Sequence, residues 1–372
     1  MRLPVYQWPL WAPLASAAAV YAAVLEVRKR WWRAMACDAG IPVISVGNLT
    51  VGGNGKTPFT LFLASLLARH GLAVGIVSRG WGSVESGADA ALVSDGARIL
   101  LAPRAAGDEP SMMAKAYAGP IAIARRRLDG IRLLTRSFAL DAIVLDDGFQ
   151  HVRLKRDLDL LLVNETRGFG NGWILPAGPL REPLSAIDRA DAIILINPLI
   201  NANADGIDSP CGPSAEHGAA LSPAARARLS SRTLLHATVR PHALVRAAAD
   251  GWHEMAFTLD GVRVAAVSGI ADARGFHAML RGLGAKVTRT LDYPDHHDYS
   301  PADWENILDA ARGSEMLVTT EKDLVKLEGF STDNISLCAL RLAVTMDAED
   351  RMRLLGMVRA SASSRIMNRP RA

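Results

Sequence analysis

The run Thr50-Val51-Gly52-Gly53-Asn54-Gly55-Lys56-Thr57 constrains this chain more than any other feature. It follows a β-branched apolar stretch, Ile41–Val46. It opens a segment, Pro58–Arg69, in which Phe59, Phe62, Leu63, Leu66 and Leu67 recur at helical spacing. A glycine-rich turn between a strand and a helix lets main-chain N–H groups wrap phosphate oxygens at the positive end of the helix. Lys56 would then reach the β and γ phosphates of a nucleoside triphosphate, and the Thr57 hydroxyl would ligate Mg²⁺. Thr50 stands where the first glycine of the usual pattern falls, and Gly52 and Gly53 partly compensate. The competing reading is a chance Gly-Lys-Thr turn.

A second element fits the first. Ala142-Ile143-Val144-Leu145 is an apolar strand that ends in Asp146-Asp147, where a carboxylate can meet the metal directly or through water. Taken alone, Asp-Asp-Gly is also a common turn after a strand. Other apolar runs, Ala73–Ser78, Ile121–Ala124, Leu158–Val163 and Ala192–Ile196, alternate with helical stretches, as in an α/β fold whose sheet is covered on both faces. The Asn/Thr-Lys-x-Asp signature of guanine specificity is missing; Thr320-Glu321-Lys322-Asp323 has the wrong spacing.

Composition sets the outer limits. With 372 residues, 49% hydrophobic and 22% charged, the chain suits two domains with sizeable cores and excludes global disorder or a coiled coil. Cys37, Cys211 and Cys338 are too few and too scattered for a disulfide scaffold or a closed zinc site. A net charge of +4 fits an acidic ligand or an anionic membrane surface better than nucleic acid. No obligate protein partner is evident.

The amino terminus departs most from soluble composition. No charge falls between Arg2 and Glu26, and the basic cluster Arg28, Lys29, Arg30, Trp31, Trp32, Arg33 follows. Trp8, Trp11, Tyr21, Trp31 and Trp32 are residues that settle at a membrane interface. Pro9 and Pro13 argue against one uninterrupted helix. A spanning anchor, a helix lying in the interface and a buried helix of a soluble protein all remain open.

The organisation expected is a P-loop NTPase-like α/β/α sandwich with a second, smaller α/β domain and an amino-terminal membrane-associated helix. Residues 1–35 form that helix, 36–240 the P-loop domain and 241–345 the smaller domain. A helix over 346–360 and a disordered tail over 361–372 complete the chain. Within the second domain the pattern predicts strand Val262–Val267, helices Ala273–Leu283 and Pro301–Ala311, and strand Met316–Thr319. The stretch Asn201–Arg232, rich in Ala, Ser, Gly and Pro, reads as a loop or insertion.

Several polar clusters remain, each open to a plain structural reading: Gly-Asp-Glu-Pro as a turn, Arg181-Glu182 as a surface ion pair, Asp295-His296 as a solvated loop. In chain order, however, Gly-Asn-Leu-Thr-Val-Gly-Gly-Asn-Gly-Lys-Thr-Pro (47–58), Ser-Arg-Gly-Trp-Gly (78–82), Gly-Asp-Glu-Pro (107–110) and Asp-Asp-Gly-Phe-Gln-His (146–151) are followed by Leu-Pro-Ala-Gly-Pro-Leu-Arg-Glu (175–182), Pro-Asp-His-His (294–297) and Thr-Glu-Lys-Asp (320–323). This succession resembles the tetraacyldisaccharide 4′-kinase family, the lipid A 4′-kinases of Gram-negative bacteria. Thr50 is itself a trait of that family. Asn54, where Thr or Ser is commoner, Trp81, where Tyr is common, and the Asn201–Arg232 expansion depart from it.

The resemblance implies transfer of the ATP γ-phosphoryl group to the 4′-hydroxyl of a tetraacylated glucosamine disaccharide 1-phosphate, at the cytoplasmic face of the inner membrane. It implies Asp108 as general base. Glu109 would help Thr57 and Asp146 or Asp147 hold Mg²⁺, and His296, oriented by Asp295, would bond Asp108 when the second domain closes. Arg79 and Arg181 become candidates for phosphate contact. Gln150 and His151 would line the acceptor site or brace the turn after Asp147. The rival activity is a membrane-tethered P-loop ATPase switch without a lipid acceptor.

Overall fold

The computed structural model describes residues 8–52, 55–79, 89–198, 222–248, 251–255, 258–330 and 335–367. The chain begins with α1 (Trp8–Ala34), β1 (Val43–Asn48), α2 (Lys56–Arg69), β2 (Val74–Ser78) and β3 (Ala90–Asp95). Next come α3 (Pro103–Ala106), α4 (Asp108–Ala116), β4 (Pro120–Ala124), α5 (Arg127–Ser137), β5 (Ala142–Leu145), β6 (Leu158–Asn164) and β7 (Ala192–Pro198). The second half holds α6 (Pro223–Ser230), β8 (Thr233–Ala248), β9 (Gly251–Met255), β10 (Arg263–Ser268), α7 (Ala273–Gly282) and β11 (Lys286–Asp292). It ends with α8 (Pro301–Ala310), β12 (Met316–Thr320), α9 (Glu321–Leu327), β13 (Ser336–Thr345) and α10 (Ala348–Met367).

The strands form a 13-stranded sheet in the order β11-β10-β12-β13-β8-β7-β6-β1-β5-β2-β4-β3, with β9 beside β8. Around the glycine loop the ladder is parallel: β1 lies between β5 and β6. Alternation along β1 divides the core. Ile44 and Val46 face the α2 side with Phe59, Leu63 and Met113, whereas Val43 faces the α5 side with Ile131 and Leu134. In the second half, Val267 and Leu317 pack with Trp304 and Leu324, while Val264 and Val318 pack with Phe276 and Leu280. The first half is therefore the expected three-layer sandwich, and the second is three layers deep as well.

The expected boundary at 240/241 falls inside β8. This strand starts parallel to β7 and continues antiparallel to β13, so one strand belongs to both halves. Four further expectations change. First, α1 runs unbroken through Pro13, and Pro9 is harmless in its first turn, where the missing N–H has no helical partner. Second, of the three readings of the amino terminus, the spanning one finds no described helix long and apolar enough to cross a membrane. Alanine fills much of α1, and alanine contributes little transfer energy. Third, the stretch expected as a loop contains α6, capped by Ser222, which accepts from Ala225 N; residues 199–221 lie outside the described set. Fourth, α10 continues to Met367 instead of ending near Ser361: Leu354, Leu355 and Val358 anchor it in the core, and a formed helix propagates at low cost.

Gly47 shows how closely the sheet is built around the site. A Cβ there would lie 2.6 Å from Phe149 Cβ and 2.9 Å from its backbone nitrogen, in the turn after β5. Gly47→Ala should therefore displace the turn that carries Asp147 and cost about 1–3 kcal/mol. Urea unfolding of the variant beside the unaltered protein checks this; equal midpoints would refute it.

Candidate active site

The end of β1 and the turn after β5 meet at Lys56. Gly55 adopts φ 70° as the residue preceding α2, a conformation that glycine supplies without strain. Lys56 Nζ donates to Asn48 Oδ1 at 3.1 Å and lies 3.6 Å from Asp147 Oδ1. Asn48 is held in turn: its amide donates to Thr50 O at 2.9 Å, and Gln150 Nε2 donates to the Asn48 carbonyl at 2.7 Å. Val51 N donates to Pro179 O at 2.9 Å, which ties the glycine loop to the 175–182 motif. Gly52 is left-handed at φ 100°, Thr57 is buried at the start of α2, and Gly53 and Asn54 lie outside the described residues.

The two aspartates differ. Asp146 is 2% exposed and accepts from Thr60 Oγ1 at 3.0 Å and Ser78 Oγ at 3.2 Å. Burial, with Glu109 and Asp147 nearby, pushes its carboxyl up to about 6. Asp147 turns outward at φ 50° and receives both bonds of Arg181, at 3.1 and 2.9 Å. Burial works to raise it, but Lys56 and Arg181 prevail and hold it below the ordinary carboxylate range. Glu109, in the first turn of α4, joins this acidic group.

Asp108 opens α4 and is met from the other half of the sheet. His296 Nδ1 lies 3.2 Å from Asp108 Oδ2, and Asp295 Oδ2 is 3.9 Å from His296 Nε2. His297 instead faces Asp303 at 3.2 Å and stacks on Tyr293, so His296 is the histidine turned toward the acid. His296 and Asp147 are the non-glycine residues with positive φ among those described. That conformation is uncommon for side-chain-bearing residues, and it falls at the two motifs that meet here.

The plain readings of the clusters fare differently. Gly-Asp-Glu-Pro begins a helix, not a free turn. Glu182 is buried, 2.7 Å from Lys29 of α1 and 2.5 Å from Arg189, while Arg181 serves Asp147. Arg79 is exposed beside the ring of Arg127 and His151. Sequence reasoning passed over Asn48, Arg127, Lys322 and Lys326. Arg127 is buried and donates to Ala124 O at 3.1 Å and Asp146 O at 3.2 Å, bracing the end of β5. A third arginine in the run Arg125-Arg126-Arg127 gave no sign of this.

Comparison with known proteins identifies the family. The family model described as tetraacyldisaccharide-1-P 4′-kinase matches residues 10–359. This chain belongs to the tetraacyldisaccharide 4′-kinase family. A tetraacyldisaccharide 4′-kinase of Anaeromyxobacter dehalogenans (strain 2CP-C) is 41% identical over 326 residues, covering 85% of this chain and 81% of the relative. One from Syntrophus aciditrophicus is 39% identical over 306 residues, covering 81% and 79%. The crystal structure of the "apo" form of LpxK from Aquifex aeolicus in complex with ATP superposes with a TM-score of 0.73 at 29% identity, covering 95% of this chain and 99% of that one.

His151 supplies a pH test of the site's polarity. Burial, with Arg127, Arg156 and Arg153 around it, lowers its pKa to about 4 from 6.5. The unfolded chain therefore binds a proton between those values that the folded chain does not. Stability should fall as pH drops from about 6.5 toward about 4, by roughly 1–3 kcal/mol from this residue. His151→Gln should flatten that part of the profile, and an unchanged slope in denaturant titrations would refute the assignment.

Proposed function

We propose that this protein transfers the γ-phosphoryl group of ATP to the 4′-hydroxyl of a tetraacylated glucosamine disaccharide 1-phosphate, as its family's name states. The observation that carries this reading is the Asp108–His296 contact, 3.2 Å across the two halves of the sheet. An ATPase switch without an acceptor gives that contact no work to do. A sugar hydroxyl is a weak acid, so a carboxylate must orient it and take its proton as the new O–P bond forms.

In this reading residues 50–57 cradle the phosphates, and Lys56, released from Asp147, moves its ammonium to the β and γ oxygens. Thr57, Glu109, Asp146 and Asp147 are hard oxygen donors of the kind Mg²⁺ prefers. Among the described residues no three His, Cys, Asp or Glu side chains hold a metal by themselves, so the ion would take phosphate and water oxygens for the rest of its shell. When bound, it would neutralise charge on the transferring group. Arg181, whose Nη1 already meets both oxygens of Asp147, and Arg79 would bind phosphate oxygens of donor or acceptor. Gln150 and His151 stand next to them, Gln150 holding the Asn48 carbonyl.

The half of the sheet around β1 would carry the nucleotide, and the half beyond β8 would bring His296 to Asp108 and exclude water, which would otherwise accept the phosphoryl group. Residues 1–35 would rest on the cytoplasmic face of the inner membrane. Ala18, Leu25 and Lys29 of α1 pack inward, while Val20, Tyr21, Val24, Val27 and Trp31 are exposed and Arg28, Arg30 and Arg33 follow at the basic end. An apolar face ending in arginines suits a helix in the interface. The acceptor's acyl chains keep it in that bilayer, at about 0.8 kcal/mol per buried CH₂.

Labelled phosphate should pass from ATP to the monophosphorylated disaccharide lipid, with ATP consumption dependent on that lipid; acceptor-independent turnover would favour the switch. Asp108→Ala should lower kcat about 10²–10⁴-fold with ATP affinity nearly unchanged. Lys56→Ala should instead weaken ATP binding itself. Near-normal turnover by Asp108→Ala would remove it as the base.

A further inference from the structure

The Thr-Glu-Lys-Asp motif has so far no part in the chemistry. It forms the start of α9, which packs along α4. Thr320 caps the helix by accepting from Asp323 N at 3.1 Å. Asp323 is fully buried, accepting from Thr320 Oγ1 at 2.7 Å and from Gly269 N at 2.9 Å. Gly269 O in turn accepts from His296 N at 3.3 Å. The motif is thus a frame that fixes α9 against the loop carrying His296.

Two lysines, one turn apart, extend from this frame. Lys326 Nζ donates to Asp108 Oδ2 at 3.2 Å and to His297 O at 2.7 Å, with Asp323 Oδ1 at 3.6 Å. Lys322 Nζ donates to Asp295 Oδ1 at 2.6 Å and lies 3.4 Å from His296 Nε2. An ammonium has only donors, so the Nε2 facing it accepts, and Nδ1 carries the hydrogen directed at Asp108. Both donors to Asp108, His296 Nδ1 and Lys326 Nζ, then converge on one oxygen, Oδ2.

Resting on the kinase reading above, we propose that Lys326 and Lys322 are positioning residues for the base. Lys326 fixes the rotamer of Asp108 by holding Oδ2, which aims Oδ1 at the acceptor hydroxyl. Lys322 sets the tautomer of His296 that supplies the second donor. In the step itself the acceptor oxygen bonds to the γ phosphorus, the bond from that phosphorus to the ADP oxygen breaks, and the hydroxyl proton passes to Asp108 Oδ1. Neither lysine touches the reacting atoms; each acts through a neighbour whose aim decides whether the proton is within reach.

Steady-state transfer to the monophosphorylated disaccharide lipid tests this in the full-length protein. Lys326→Met should lower kcat about 10–100-fold, leave KM for ATP within about twofold, and leave the thermal midpoint close to that of the unaltered protein. Lys326→Arg, which keeps a cationic donor, should recover most of the loss. In an Asp108→Asn background Lys326→Met should cost nothing further, and in a His296→Ala background neither should Lys322→Met. A merely structural lysine would give additive losses. Should Lys326→Met fail to fold, the comparison of Lys326→Arg with Lys326→Gln reads the same effect. Undiminished kcat in the Met or Gln variant, or losses that multiply in the Asn background, would overturn the inference while the kinase reading stands. No lipid phosphorylation by the unaltered protein would overturn both.

Discussion

Asp146, Asp147 and Glu109 crowd behind the glycine loop, and like charges in a buried setting make one another harder to ionise. Asp146 shows the strain, pushed up to about 6 although Thr60 and Ser78 both bond it. Every cation around it offsets part of that repulsion. Lys56 and Arg181 lean on Asp147, and Arg127 gives up exposure to brace the carbonyl of Asp146. A divalent ion and a phosphate chain entering together would relieve both sets at once, since the ion would take the carboxylates and the phosphates the cations. That balance of acids and cations is what supports the nucleotide-and-metal reading of the site.

A second buried charge ties α1 to the same turn. Lys29 is 4% exposed, and burial lowers its pKa even with Glu182 beside it. A lysine buried in this way is costly unless paired, and Glu182 is shared between Lys29 and Arg189, whose guanidinium also bonds the Phe149 carbonyl at 2.9 Å. Phe149 belongs to the turn after Asp147. The α1 helix is therefore joined, through one buried acid, to the backbone of the acidic turn. In a reading where α1 rests on the bilayer, that link fixes how far the site stands from the lipid headgroups.

Much of this was legible in the amino-acid sequence wherever one local rule sufficed. Strands β5 and β6 and the start of α7 fall within a residue or so of their expected limits because apolar runs bounded by turn residues mark them. What escaped depends on neighbours distant in the chain. The edge strand β11 carries Lys286, Thr288, Arg289 and Thr290, mostly exposed, so no apolar pattern announces it. Strand β8 spans both halves, and the Arg240-Pro241 pair within it reads as a boundary although its neighbours continue the ladder. Arg181 and Glu182 looked like partners because they are adjacent, yet Arg181 bonds Asp147 while Glu182 pairs with Lys29 of α1 and with Arg189.

The positive φ of Asp147 and of His296 shows why motif order alone could not supply the geometry. Each positive φ falls at the residue that makes a contact of the site, Asp147 with Lys56 and His296 with Asp108. The surroundings hold both in place: Arg181 Nη1 bonds the carboxylate of one, and the Gly269 carbonyl takes the backbone N–H of the other. Strain kept at two points on opposite halves of a continuous sheet is tolerable only where each half is rigid, and the three-layer packing on both sides of β8 provides that. In the kinase reading, a base at Asp108 draws its donors, His296 and Lys326, from beyond β8. On that reading the residues that aim the base and those that would keep water from the phosphoryl group come from the same loop and helix, so a sugar hydroxyl could outcompete water there.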